Sequence, residues 1–84
     1  MKSTHRKTLK VIFGKQIPTS LKWQQIEALF MTLGDQAIEG RGSRVRFELN
    51  GVIATFHRPH PYKEARPYQV RDARQFLEQA GVEP

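Results

Sequence analysis

The sequence predicts an α+β domain, with one three-stranded antiparallel sheet covered on one face by helices. Three observations predict it. Residues 20–33 and 67–80 each carry apolar side chains at the spacing of a helix with one buried stripe. Between them, Asn50-Gly51 sits between two strand-like runs, the strongest short-range signal for a β-hairpin. The chain has 84 residues, enough for one small domain and not for two.

The elements follow in order. Residues 4–13 read as a short helix with Leu9, Ile12 and Phe13 on one face. Ser3 or Thr4 is placed to cap it, and Gly14 to end it in a left-handed turn. The β-branched pair Val11-Ile12 leaves a strand open as the other reading. Residues 15–19 connect, with Pro18 disfavouring helical backbone at Ile17. Thr19 or Ser20 then caps the helix of residues 20–33, whose stripe is Trp23, Ile26, Leu29, Phe30 and Leu33, and Gly34 stops it. On this periodicity Trp23 and Phe30 read as core and not as base-stacking platforms.

Residues 36–39 form a short strand, and Gly40-Arg41-Gly42-Ser43 a turn. Residues 44–49 alternate polar and apolar without a break, and residues 52–57 return. A two-residue loop pairs Leu49 with Val52, Phe47 with Ala54 and Val45 with Phe56 on the buried face. The other face then carries Arg44 opposite His57, Arg46 opposite Thr55 and Glu48 opposite Ile53. Residues 58–67 are a loop with Pro59, Pro61 and Pro67, the last suited to a first helical turn. Val70, Ala73, Phe76, Leu77 and Ala80 mark the final helix, which Gly81 closes. Tyr62 and Tyr68 read as partly buried loop anchors. Residues 1–19 form a basic extension with a short helix and residues 20–84 the main unit, together one compact domain.

Charge narrows the function. Fourteen Lys and Arg against eight acids give +6, a balance that points to a polyanion, most often nucleic acid. The cations cluster in the first fifteen residues, at Arg41, Arg44 and Arg46, and at Arg58, Lys63 and Arg66. With no cysteine, disulfides and thiolate catalysis are excluded. No apolar run approaches a membrane span, and no secretory signal opens the chain, so a cytoplasmic setting is expected. Phosphate-binding loops, dinucleotide fingerprints and hydrolase elbows are missing from the sequence.

RNA is cut without metal when its 2′-hydroxyl attacks the adjacent phosphate, which requires a base and cations for the developing charge. His57 is the leading candidate base, because the register sets it beside Arg44. Its alternative is a plain exposed surface histidine. His60, between Pro59 and Pro61, is a lesser candidate for catalysis or an RNA contact and reads more readily as a loop organiser. Arg41, Arg44, Arg46, Arg58 and Lys63 are candidate RNA contacts, as is Ser43, whose other role is to shape the turn. His57 and His60 lack a third ligand, so neither a metal nor any other cofactor is expected.

Several of these features together resemble the HicA family. They are Leu33-Gly34 closing a helix, Gly42-Ser43 entering a strand, the hairpin, the Pro59-His60-Pro61 loop and Gln79-Ala80-Gly81-Val82 at the last helix. The resemblance spans residues 20–82 and leaves the first helix outside. It implies an RNA-cleaving toxin with a fold like the double-stranded RNA-binding domain, paired with the antitoxin HicB. The sequence departs from the family at one place. The family usually has its catalytic histidine within two positions of the Gly-Ser, where this chain has Arg44 and Val45. Either the chemistry has moved, or it is weak or lost. The expectation is a metal-independent endoribonuclease toxin acting on mRNA and held by a HicB-like antitoxin. The alternatives are a non-catalytic RNA-binding module and a protein-interaction domain that docks an acidic partner. The first helix has two open roles, completing the core or presenting Arg6, Lys7 and Lys10 to RNA.

Overall fold

An Asn-Gly turn reverses the chain between β2 (Arg44–Leu49) and β3 (Val52–His57). Both turn residues take positive φ, 52° at Asn50 and 81° at Gly51, as a tight two-residue loop demands. The computed structural model describes residues 2–16, 18, 20–59 and 63–84. Strand β1 (Gln36–Glu39) pairs antiparallel with β2, so the sheet order is β1-β2-β3. The hairpin register is the expected one, from Leu49↔Val52 through Arg44↔His57. The Asn50 side chain donates to the Ala80 carbonyl at 2.8 Å, tying the hairpin tip to the end of the last helix.

Helices α2 (Trp23–Thr32) and α3 (Pro67–Gln79) belong to the covered side of the sheet. Val45, Phe47, Leu49 and Phe56 face them and are buried. Phe30 of α2 meets Phe47 edge-on at 5.0 Å and Phe76 of α3 at 5.2 Å, and Trp23 lies 5.3 Å from Phe56. Four elements therefore converge on one aromatic cluster, where each pair adds about 0.5–1.5 kcal/mol beyond its buried area. Trp23 and Phe30 are core residues, as their periodicity indicated. The architecture is α+β with an open antiparallel sheet and three helices, consistent with the double-stranded RNA-binding-domain type.

Helix α1 (Ser3–Ile12) packs on α2 and α3 and adds Leu9 and Ile12 to the same core. Its ends differ from the local expectation. Lys2 is the N-cap and no side chain caps the helix, so neither Ser3 nor Thr4 does. Gly14 is not left-handed. A tertiary donor replaces that turn: Arg74 of α3 gives its Nε–H to the Ile12 carbonyl at 2.9 Å and another N–H to the carbonyl of Gly14.

Helix α2 begins at Trp23 and not at residue 20. The backbone before it is drawn into a short bridge, with Ala65 N–H donating to Leu21 O at 2.7 Å and Trp23 N–H to Lys63 O at 2.9 Å. Of the two expected caps, Ser20 lies upstream of this bridge and Thr19 lies outside the described residues. Gln25 Oε1 instead accepts the N–H of Lys22, the actual N-cap, at 3.0 Å. Gly34 ends α2 at φ +96°, and Pro67 opens α3, both as expected. Tyr68 is no loop anchor: it lies in the first turn of α3 and is half exposed. Tyr62 lies outside the described residues.

Candidate nucleic-acid interface

The alternation of β2 and β3 leaves one sheet face without a helix. Across it, Ile38, Arg46 and Thr55 form one row, and Arg44 and His57 the next. Side chains directly opposite on neighbouring strands stand about 5 Å apart at Cβ. Arg44, Arg46, Thr55 and His57 are all exposed. They line a shallow groove of about 450 Å³ together with Ile38, Glu39 and Gly40 of β1 and the turn after it.

Gly40 is small for a reason. A Cβ there would stand 3.1 Å from the Arg44 Cβ, too close without a shift of Arg44. Gly40 N–H donates to the Arg44 carbonyl at 2.8 Å, and Gly42 supplies the positive φ that the turn requires. Ser43 sits in this turn, and its carbonyl accepts the N–H of Arg58 at 2.8 Å, extending the hairpin ladder by one bond. Arg41 is exposed on the same turn. The base of the site is thus backbone held by hydrogen bonds, with two guanidinium groups and one imidazole above it.

The end of β3 is held from behind. Gln69 of α3, 1% exposed, donates Nε2–H to the His57 carbonyl at 2.5 Å and accepts the Arg66 N–H at 2.8 Å. Sequence reading passed over Gln69, because a glutamine within an apolar stripe carries no local signal that its amide fixes a distant strand.

Arg58 follows His57 and points to the opposite side. Its guanidinium bonds Glu27 of α2 at 2.6 Å and Glu39 of β1 at 2.5 and 2.8 Å. Trp23 Nε1–H donates to the same Glu27 oxygen at 2.6 Å. The hydrogen bonds from Arg58 hold the Glu39 carboxyl below its usual range, and both carboxylates push the guanidinium pKa up. Among the described residues these are the only ion pairs, so Arg44 and Arg46 are unpaired cations while Arg58 is not. Lys63 is exposed, and its carbonyl takes the Trp23 N–H. The structure therefore brings Arg44, Arg46 and His57 together and sets Arg58 apart. His60 lies outside the described residues.

Asp35 is the other residue the sequence did not single out. It is buried behind Gly34, and neither carboxylate oxygen has a hydrogen-bond partner among the described residues. Burial pushes its pKa up to about 7. Among the described residues no three His, Cys, Asp or Glu side chains come together to hold a metal ion. No helix among them is long and apolar enough to cross a membrane.

A family model for the HicA toxin of bacterial toxin–antitoxin systems matches residues 23–82, from the first residue of α2 to just past α3. No curated protein and no solved structure matches the chain.

Proposed function

The chain belongs to the HicA family, toxins of bacterial toxin–antitoxin systems, and from that premise we propose that it is a metal-independent endoribonuclease acting on mRNA. Membership implies an antitoxin partner; in this reading the partner is HicB-like, covers the open sheet face, and acts with the toxin in the cytoplasm.

One observation carries the reading. The two positions after Gly42-Ser43, where the family usually has its histidine, are Arg44 and Val45 here, and the cross-strand neighbour of Arg44 is His57. Position 45 is no substitute, since Val45 is fully buried against the helices. An imidazole thus stands one strand away from the family's position and on the same face. In the reaction, His57 takes the proton of a 2′-hydroxyl, and the freed oxygen attacks the adjacent phosphorus. The bond to the 5′-oxygen breaks, leaving a 2′,3′-cyclic phosphate, and the departing oxygen takes a proton from solvent. Arg44 and Arg46 hold the non-bridging oxygens as negative charge gathers there. Ser43, Arg41 and Lys63 flank the strand and add phosphate contacts.

The test is cleavage of mRNA by the purified protein with chelator present, beside His57→Ala. The reading expects wild-type cutting and a loss of about 10²- to 10⁴-fold in the variant, the range for one positioned base. Equal cutting by both removes His57 from the mechanism. No cutting by folded wild-type protein supports the second reading, a non-catalytic RNA-binding module, which the arginine at position 44 favours.

A further inference from the structure

Helix α1 lies outside the residues that match the family and carries a cationic face of its own. At 100° per residue, Arg6, Lys10 and Lys7 fall within an arc of about 100°, opposite Leu9 and Ile12. All three are exposed, and none has an ion-pair partner among the described residues.

This charge pattern works against the helix. Arg6 and Lys10 stand at i, i+4, and Lys7 and Lys10 at i, i+3, like-charge spacings that each cost about 0.2–0.5 kcal/mol. Lys2, Arg6 and Lys7 crowd the N-terminal half, where the helix dipole disfavours cations, and no acid lies in the first turn. A helix that breaks these local rules, with only Lys10 in the last turn placed to suit the dipole, marks a surface kept for a ligand.

The ligand's chemistry follows from what the face holds and lacks. Its one exposed large apolar side chain is Val11, at the margin. Protein interfaces centre on apolar and aromatic groups and are depleted in lysine, so this face is poorly suited to a protein. The apolar side of α1 is buried in the core, which leaves nothing to enter a bilayer. We propose that α1 is a second RNA-binding surface, on the helical side of the molecule, that holds the phosphate backbone of a strand extending beyond the sheet groove. This rests on RNA being the ligand, as proposed above, and not on cleavage.

Its signature is a salt dependence that needs a long strand. The molecule spans at least 21 Å in every direction, farther than the few phosphates of a tetranucleotide reach. A tetranucleotide therefore reaches one surface and a 20-nucleotide strand reaches both. Binding is measured against salt for His57→Ala protein, which leaves RNA intact, with and without the added substitutions Arg6→Gln, Lys7→Gln and Lys10→Gln. With the 20-mer, the added substitutions flatten the slope of log K against log salt by about 2, from 0.7 per lost phosphate contact on single strands. With the tetramer they change nothing. A parallel set with Arg6→Lys and Lys10→Arg keeps the charge and the slope.

An unchanged slope with the 20-mer overturns the proposal. So does a variant that keeps its RNA binding and loses its grip on the antitoxin, which would give the face to an acidic protein. Replacing Arg44 and Arg46 with Gln in parallel separates the two readings: if binding does not respond there but responds at α1, the sheet-face reading fails and α1 stands as an RNA-binding surface without the groove. Absence of RNA binding by any form overturns both.

Discussion

Alternate residues of the same strands make two surfaces with opposite fates. Val45, Phe47, Leu49 and Phe56 are buried beneath α2 and α3, whereas Arg44, Arg46, Glu48, Thr55 and His57 stand in solvent. Charge follows the same parity. Among the described residues Arg44 and Arg46 have no ion-pair partner on the open side, while Arg58, one residue past His57, turns to the covered side and meets Glu27 and Glu39. Which arginine is free for a ligand is decided by its side of the sheet, not by the local density of cations.

The largest effect should come from exchanging neighbours across that boundary. Phe47→Ala is expected to cost about 3–5 kcal/mol in urea unfolding, because it opens a cavity at the aromatic cluster. Arg46→Ala, one residue away, should stay within about 0.5 kcal/mol. Equal losses would mean that the open face is also a packing face.

Asp35 sharpens the same contrast, since Arg58 on the covered side is paired and the buried Asp35 carboxyl has no hydrogen-bond partner among the described residues. Its folded pKa, about 7, lies above the ordinary 3.8. The proton is therefore held more tightly in the folded state. Its contribution to stability is complete below pH 4, declines as pH rises, and is gone above about pH 7. Asp35→Asn lacks this slope. Its stability relative to wild type should rise by on the order of 2 kcal/mol between pH 4 and pH 8, after allowance for relaxation around the buried group. Parallel stability curves for the two proteins across that window would show that Asp35 has found a partner.

Arg58 and Arg44 should then separate two properties. Arg58→Ala is expected to lose about 1 kcal/mol of stability, modest because the pair is partly exposed, and to keep its affinity for RNA. Arg44→Ala should keep its stability and bind RNA several-fold more weakly. Comparable RNA defects in both would end the parity argument. Gly40→Ala is expected to cost about 1 kcal/mol, with slightly weakened RNA binding because Arg44 has to move aside.

Much of this was legible in the sequence because the controlling forces are local. The Asn50-Gly51 turn fixes the register by itself, and the register alone brings Arg44 beside His57. Helical periodicity identified Trp23, Phe30, Phe76 and Leu77 as core. What stayed hidden was set by partners distant in the chain. The start of α2 moved to Trp23 because residues 63–65 pair with the segment before it. The end of α1 depends on Arg74, and the end of β3 on Gln69. Arg58 looked like a ligand contact because the acids that neutralise it lie 31 and 19 positions earlier.

The clasp between Arg74 and the end of α1 also bears on the order in which the chain acquires its shape. A ten-residue helix is marginal alone in water, and this one is further weakened by its own charges. The donor for its last carbonyls arrives 62 residues later. On the ribosome, α1 is thus made well before Arg74 and is secured only after it. The contact closes a loop of high sequence separation, which slows two-state folding. Until Arg74 has been made, the basic helix α1 lacks the donor that closes its end.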